Sequence, residues 1–457
     1  MLALRPEHQP VSLQARYLLL AIVVSAALVA GNWNRFAVSA AGRPWTSMPD
    51  AEGYVSIAQG HIEQVHKPFS NRFLHPTFAR MIANATGMRI DQAFLLIAVV
   101  VVTLFASVVA AILNQTTHSF VLTAALLCTP FLNDVLMLIY LPDLIHAAVT
   151  GLFFLLLLRG SYRTSLLVLL MLVLIRESTV LLSMIVVLVS LRSKKGFALQ
   201  VIGVTVVGLV ITSFVTRRAL PNIHGMSEGM YMLLKIPFNF AKNICGAVFV
   251  SDTLARLRPT SEPAVTLHLP SWLPLGQLHK AGFSGFSATG PLTTLSTWLT
   301  QFGIAPTLVT IEMIRKRRPT LSHTPAWMFI ALIYGLFSFY IGPCLGAAVV
   351  RLVGYGWPAF LLAAPALLIG RYRIDKRTGV TLLVLQVLTC LLPIFEQIWG
   401  DDNRVLLTVI ALAIPLQLAA IMIYRKLPPL GSMESGDAPR PQSATSSSSG
   451  KSAPAPT

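Results

Sequence analysis

TSLLVLLMLVLIRESTVLLSMIVVLVSL, residues 164–191, is a continuous apolar stretch broken at its centre by Arg176-Glu177. It reads either as one helix with an ion pair at mid-membrane or as two short helices forming a hairpin. The choice sets the orientation of everything that follows. A charge at the centre of a lone membrane helix costs about 2.5–3.5 kcal/mol on insertion scales, so such residues are paired or functional.

Working outward, further apolar runs occupy roughly 17–38, 92–113, 118–132, 142–158, 197–216, 292–314, 325–343, 354–370, 379–397 and 404–424. Most of them are long enough for a hydrocarbon core of about 30 Å. Hydrophobic residues make up 54% of the 457-residue chain and charged residues 12%, about half the charge of a soluble domain. A soluble fold could not cover that much apolar surface. Continuous runs rather than alternating ones exclude a β-barrel. The fold class expected is all-α: a polytopic integral membrane protein of about 11–12 membrane helices.

The basic residues decide the hairpin. With the N-terminus cytoplasmic and 164–191 a hairpin, Arg159/Arg163, Arg192/Lys194/Lys195, RKRR (315–318), RYRIDKR (371–377) and Arg425/Lys426 all fall in cytoplasmic connections. A single crossing inverts the later ones. The hairpin topology puts both termini in the cytoplasm and exports two loops, about 39–91 and 217–291. Within the second, MYMLLKIPFNFAKNICGAVFV (230–250) reads as an interfacial amphipathic helix. Residues 1–424 form the multispan domain, and 425–457, Ser/Pro/Ala-rich from Gly431, form a disordered cytoplasmic tail. V-S-A at 38–40 imitates a signal-peptidase site, but an uncleaved first helix fits a chain with this many spans. The formal charge of +17 then reports retained loops and needs no nucleic-acid partner. Four scattered cysteines and scattered loop histidines give no metal-ligand spacing.

Two-thirds of the acids, 12 of 18, fall on the exported side or at its membrane edge. In the first loop, Asp50 and Glu52 follow the first span; either can act as a general base or solvate an ordinary loop. Arg72, His75 and Pro76 open a helix returning to the membrane. Asp134 and Asp143 flank a short link on the same side and read as interface acids or as a second carboxylate cluster for an acceptor. A divalent cation is possible there, though no oxygen-rich ligand run accompanies them. Arg176-Glu177 reads as a self-satisfied pair or as groups contacting a phosphate. Arg351, in the Gly-rich GPCLGAAVVRLVGYGWP, suits a phosphate through its planar fork or snorkels to headgroups.

Taken in order, DAEGYVSIA (50–58), PFSNRFLHP (68–76), the broken pair at Arg176-Glu177-Ser178 and RLVGYGWP (351–358) resemble the GT-C superfamily, multispan glycosyltransferases that use polyprenyl-phosphate-linked sugars. The likeness covers most of residues 16–424. It implies a GT-C-like fold in a bacterial plasma (inner) membrane, its active face exported. It also implies a sugar donor on polyprenyl phosphate and a glycan, lipid or protein acceptor. By the same resemblance Asp50 is the base, with Glu52 second; Arg351, with Arg72 as a further candidate, binds the lipid phosphate; and the long loop closes over both substrates. Tyr54, His75, Asp134, Asp143, Arg176 and Glu177 are the further substrate-binding candidates. The acid pair here is D-A-E rather than adjacent acids. No large soluble C-terminal domain of the oligosaccharyltransferase kind is seen, which argues against a peptide acceptor. A transporter or flippase of lipid-linked glycan, and a glycan polymerase or ligase of another multispan fold, are the alternatives.

Overall fold

The computed structural model describes residues 11–33, 50–191, 193–221, 228–250, 265–266, 282–315, 324–346, 348–400 and 402–430. The tail from 431, the cleavage-like 38–40, His224, His268, His279 and the basic residues 316–318 lie outside them.

Among the described residues, seven helices are long and apolar enough to cross a membrane: 14–31, 90–117, 195–218, 326–345, 349–369, 376–399 and 403–425. Four shorter apolar helices, 143–158, 162–175, 179–190 and 305–314, stand among them. The architecture is that of a helical membrane protein. Outward faces carry exposed large hydrophobics such as Leu199, Val210 and Leu418, which lipid accommodates where water would not.

The central stretch is a hairpin. Helices Tyr162–Ile175 and Thr179–Ser190 are separated by Arg176, whose backbone is extended (φ −159°, ψ 127°). Both arms return to one end, because the Lys194 ammonium stands over the Tyr162 ring at 3.5 Å. Helix Lys195–Val215 packs against both arms. Thr205 donates to Ser183 at 2.9 Å, and the absent side chain of Gly208 makes room for Val173. Short arms are tolerated because neighbouring helices shelter them.

Several runs expected to be single helices are broken, each by an identifiable residue. The run 118–132 divides into Phe120–Leu127 and Pro130–Leu136, with Pro130 opening the second piece. The run 292–314 divides into Thr289–Thr300 and Ala305–Arg315 around Gly303, which has φ +62°. Gln386 fills that break: its amide accepts from Ile304 N at 2.9 Å and donates to Phe302 O at 3.1 Å, satisfying backbone that lipid could not. The run 379–397 divides at Pro393. Pro358–Ala363 is a π-helical segment, and its Ala359 packs directly on the Cα of Gly335. Apolarity marks these crossings, but proline, glycine and buried amides set where they bend. The fold also departs from all-α, because 230–250 is not wholly helical. Helix Glu228–Asn243 gives way to β1 (Ala247–Val250), which pairs antiparallel with β3 (Gly282–Phe286); β2 (Val265–Thr266) joins the other edge of β3.

The two loops expected to be exported meet at one end. Lys67 N donates to Leu220 O and Leu220 N to Val65 O, each at 3.1 Å. Thr216 donates to Asn71. The opposite end holds a second polar knot that hydropathy gave no hint of. Glu312, 1% exposed, accepts from Arg371 Nη1 at 2.6 Å, from Tyr372 OH at 2.7 Å and from Tyr424 OH. Arg371 therefore does more than orient the chain. Removing one partner of a buried pair costs about 3–5 kcal/mol. Glu312→Ala accordingly lowers the thermal midpoint in detergent by several degrees; a shift within error would show the knot to be dispensable.

Candidate functional site

Asp50 is the N-cap residue of helix Ala51–Gln59, at the point where the first loop meets the bundle. Glu52 sits two positions on, which turns it about 200° around the helix axis. It is exposed and bonds none of the described residues. Tyr54, on the buried face, is fully enclosed. Its hydroxyl accepts from Arg72 Nη1 at 3.1 Å. Arg72 closes the short 3₁₀ turn Phe69–Arg72 and makes a bidentate pair with Glu177, with Nη2 to Oε1 at 2.6 Å and Nε to Oε2 at 3.1 Å.

Arg176 and Glu177 are therefore not a self-satisfied pair. The hairpin tip points them to different partners: Glu177 to Arg72, and Arg176 to Asp143, with Nη1 to Oδ1 at 2.6 Å. Asp143 opens helix Asp143–Leu158, where the helix dipole also favours a carboxylate. Its Oδ1 accepts from Tyr355 OH, to which Arg176 also donates. The Arg176 guanidinium lies 4.5 Å from the centre of the Tyr355 ring.

Arg351 completes the cluster from the far end of the sequence. Its Nη1 is 3.3 Å from Asp50 Oδ2 and its Nε 3.7 Å from Asp143 Oδ1. Asp50, Tyr54, Arg72, Asp143, Arg176, Glu177 and Arg351 thus converge, with first loop, hairpin tip and residues near 350 meeting at one end. Asp143 Oδ2, Arg176 Nε and Arg351 Nε are buried without a hydrogen-bond partner among the described residues.

Two expected site residues stand apart. His75 is buried beside the cluster with its ring edge on Phe94 at 5.1 Å and bonds none of the charged groups. Burial pushes its imidazole down to about 4, partly offset by Asp143. The unfolded chain protonates this residue below about 6.5 and the folded one does not until about 4. Stability from His75 is thus present above that window and lost as pH falls through it. The stability advantage of wild type over His75→Phe should shrink between pH 7 and pH 4; a difference independent of pH would contradict the buried neutral ring. Asp134 lies elsewhere, 2.9 Å from the Gln301 amide, so the two acids near the 137–142 link do not form one cluster.

Sequence reasoning missed Tyr355, His146, Thr179 and Lys235. His146 Nε2 is 3.1 Å from Thr179 Oγ1 and its ring edges onto Tyr355 at 5.6 Å. Tyr355 sits one turn after Arg351, so the i, i+4 spacing was a usable signal. Lys235, on helix Glu228–Asn243, is lowered to about 8, first by burial and then by the nearby Arg72, Arg351 and Arg176. The cluster thus holds three arginines (Arg72, Arg176, Arg351) with three carboxylates (Asp50, Asp143, Glu177), and Lys235 stands near enough to feel the arginines' charge.

A cavity of about 670 Å³ adjoins the cluster at Arg351 and is lined also by Asp134, Gln301, Lys242 and Phe131. No group of three or more His, Cys, Asp or Glu among the described residues could hold a metal ion. Each clustered carboxylate already neutralises an arginine, so these residues do not fit a resident dication. The chain matches no protein-family model, no curated protein and no solved structure.

Proposed function

We propose that this chain is a membrane glycosyltransferase of GT-C type, moving a sugar from a polyprenyl-phosphate carrier to an acceptor at the exported face. The observation that carries the reading is the meeting of Asp50 with Arg351 at 3.3 Å, beside a cavity that Arg351 also lines. Arginine binds a lipid phosphate through two hydrogen bonds. The acceptor hydroxyl oxygen attacks the anomeric carbon, and its proton passes to the Asp50 carboxylate. The bond from that carbon to the phosphate oxygen breaks, and the lipid phosphate leaves with its charge stabilised by Arg351. The Asp50–Arg351 pair couples the two events, because a phosphate that engages Arg351 loosens its hold on Asp50 and frees the base. Basic residues at the opposite end, among them Lys194, Arg371 and Arg425, support placing the cluster on the exported side.

A transporter calls for ionisable groups lining the mid-membrane. Among the described residues the buried ionisable groups gather toward the two ends instead, which supports an enzyme. The test is reconstitution in vesicles with a radiolabelled polyprenyl-phosphate sugar. The expected result is transfer of label off the lipid to added glycan or lipid acceptors. Movement of intact lipid-linked sugar across the bilayer without transfer would favour the transporter.

A further inference from the structure

The cavity beside Arg351 has a chemically mixed lining. Arg351 and Lys242 supply cations, Asp134 and Gln301 a carboxylate and an amide, and Phe131, Phe238 and Val349 apolar surface. Gln301 is 3% exposed and donates to Asp134 Oδ2 at 2.9 Å. Asp134 Oδ1 accepts from none of the described residues. The Asp134 and Gln301 side chains come from two helix breaks, Pro130–Leu136 and the end of Thr289–Thr300. The chain thus brings two short pieces together to hold a carboxylate against an amide on a cavity wall. A phosphate gains nothing from a carboxylate, and a lipid tail gains nothing from either group. A ring bearing hydroxyls gains from both, because each hydroxyl donates to the carboxylate and accepts from the amide. Cations and a hydroxyl-binding pair in one cavity match a ligand that carries both an anionic group and a polyhydroxylated ring.

We infer that this cavity holds the glycosyl group of the lipid-phosphate donor, and that Asp134 and Gln301 are the specificity-determining pair that reads its hydroxyls. The inference rests on the glycosyltransferase reading. It predicts that the pair governs which sugar is accepted without holding the phosphate, since Arg351 does that. A site built around hydroxyl hydrogen bonds discriminates strongly, because its polar groups are left unpaired by the wrong ligand.

The experiment measures binding to the purified full chain in detergent. The probes are bare citronellyl phosphate and a set of citronellyl phosphates carrying different pentoses and hexoses. Wild type is expected to bind at least one glycosylated probe more than about tenfold tighter than the bare lipid phosphate. Asp134→Asn and Gln301→Ala are expected to lose that margin while keeping affinity for the bare lipid phosphate within about twofold. Ala348→Phe adds bulk to the cavity wall without removing a hydrogen bond. It is expected to lose the margin too, and it serves where the polar variants fail to fold. A margin that survives in the folded variants overturns the inference. So does a wild type that binds bare and glycosylated lipid phosphate equally, which returns the cavity to the lipid tail. Failure of wild type to bind either probe removes the glycosyltransferase reading itself, and the inference with it.

Discussion

On the proposed glycosyltransferase reading, Asp50→Asn is expected to lower sugar transfer by about 10²–10⁴-fold through removal of the base, while the protein still inserts and purifies as a monodisperse species. The stability cost is small because Asp50 is one-third exposed and the amide still accepts a hydrogen bond from Arg351. Glu52→Gln provides the contrast. Its side chain is exposed and bonds none of the described residues, so transfer stays within about twofold of wild type, as for an ordinary surface position. The measurement is single-turnover transfer of labelled sugar in vesicles for both variants. Full activity in Asp50→Asn would remove Asp50 from the chemistry; a loss confined to Glu52→Gln would move the base two residues along. Asp50→Glu, which keeps the carboxylate but shifts it by a methylene, separates base loss from structural loss by recovering part of the rate.

Arg176→Leu has the second large effect, and it is on folding. The side chain is 3% exposed and Asp143 1%. Removing the guanidinium leaves the Asp143 carboxylate buried with Tyr355 and a more distant Arg351. Breaking such a pair costs about 3–5 kcal/mol, which is a large share of the stability of a typical domain. The double variant Arg176→Leu/Asp143→Leu removes both charges and recovers most of that loss, because well-packed apolar replacements of a buried ion pair are often neutral or stabilising. Thermal unfolding in detergent reads the cycle. If the double variant is no more stable than the single one, the two residues are not coupled as their 2.6 Å contact requires. The recovered double variant should still be inactive, since the hairpin tip no longer presents a cation.

The Arg176-Glu177 stretch also marks the boundary of what the chain alone reveals. Its charges were legible as a hairpin tip because no lone membrane helix tolerates them cheaply at its centre, and because the basic clusters on either side fix the direction of each crossing. Their partners were not legible. Adjacent residues of opposite sign read locally as a pair, yet the extended backbone at Arg176 turns one side chain to Asp143 and the other to Arg72. The same holds for Arg351, whose suitability for a phosphate was readable from its residue type. Its contact with Asp50 joins residues 301 positions apart, a relation that no local pattern carries.

Composition and hydropathy determined that the chain lives in a membrane and that it does so as helices. These follow from the cost of apolar surface in water and of unpaired backbone in lipid, and both costs act residue by residue. Tertiary structure decided which charges neutralise each other, where the crossings break, that Glu52 faces away, and that Asp134 stands with Gln301 on a cavity wall rather than with Asp143. Those outcomes depend on which helices pack together. A buried charge takes whatever partner the packing brings within reach, and sequence distance has no say in it.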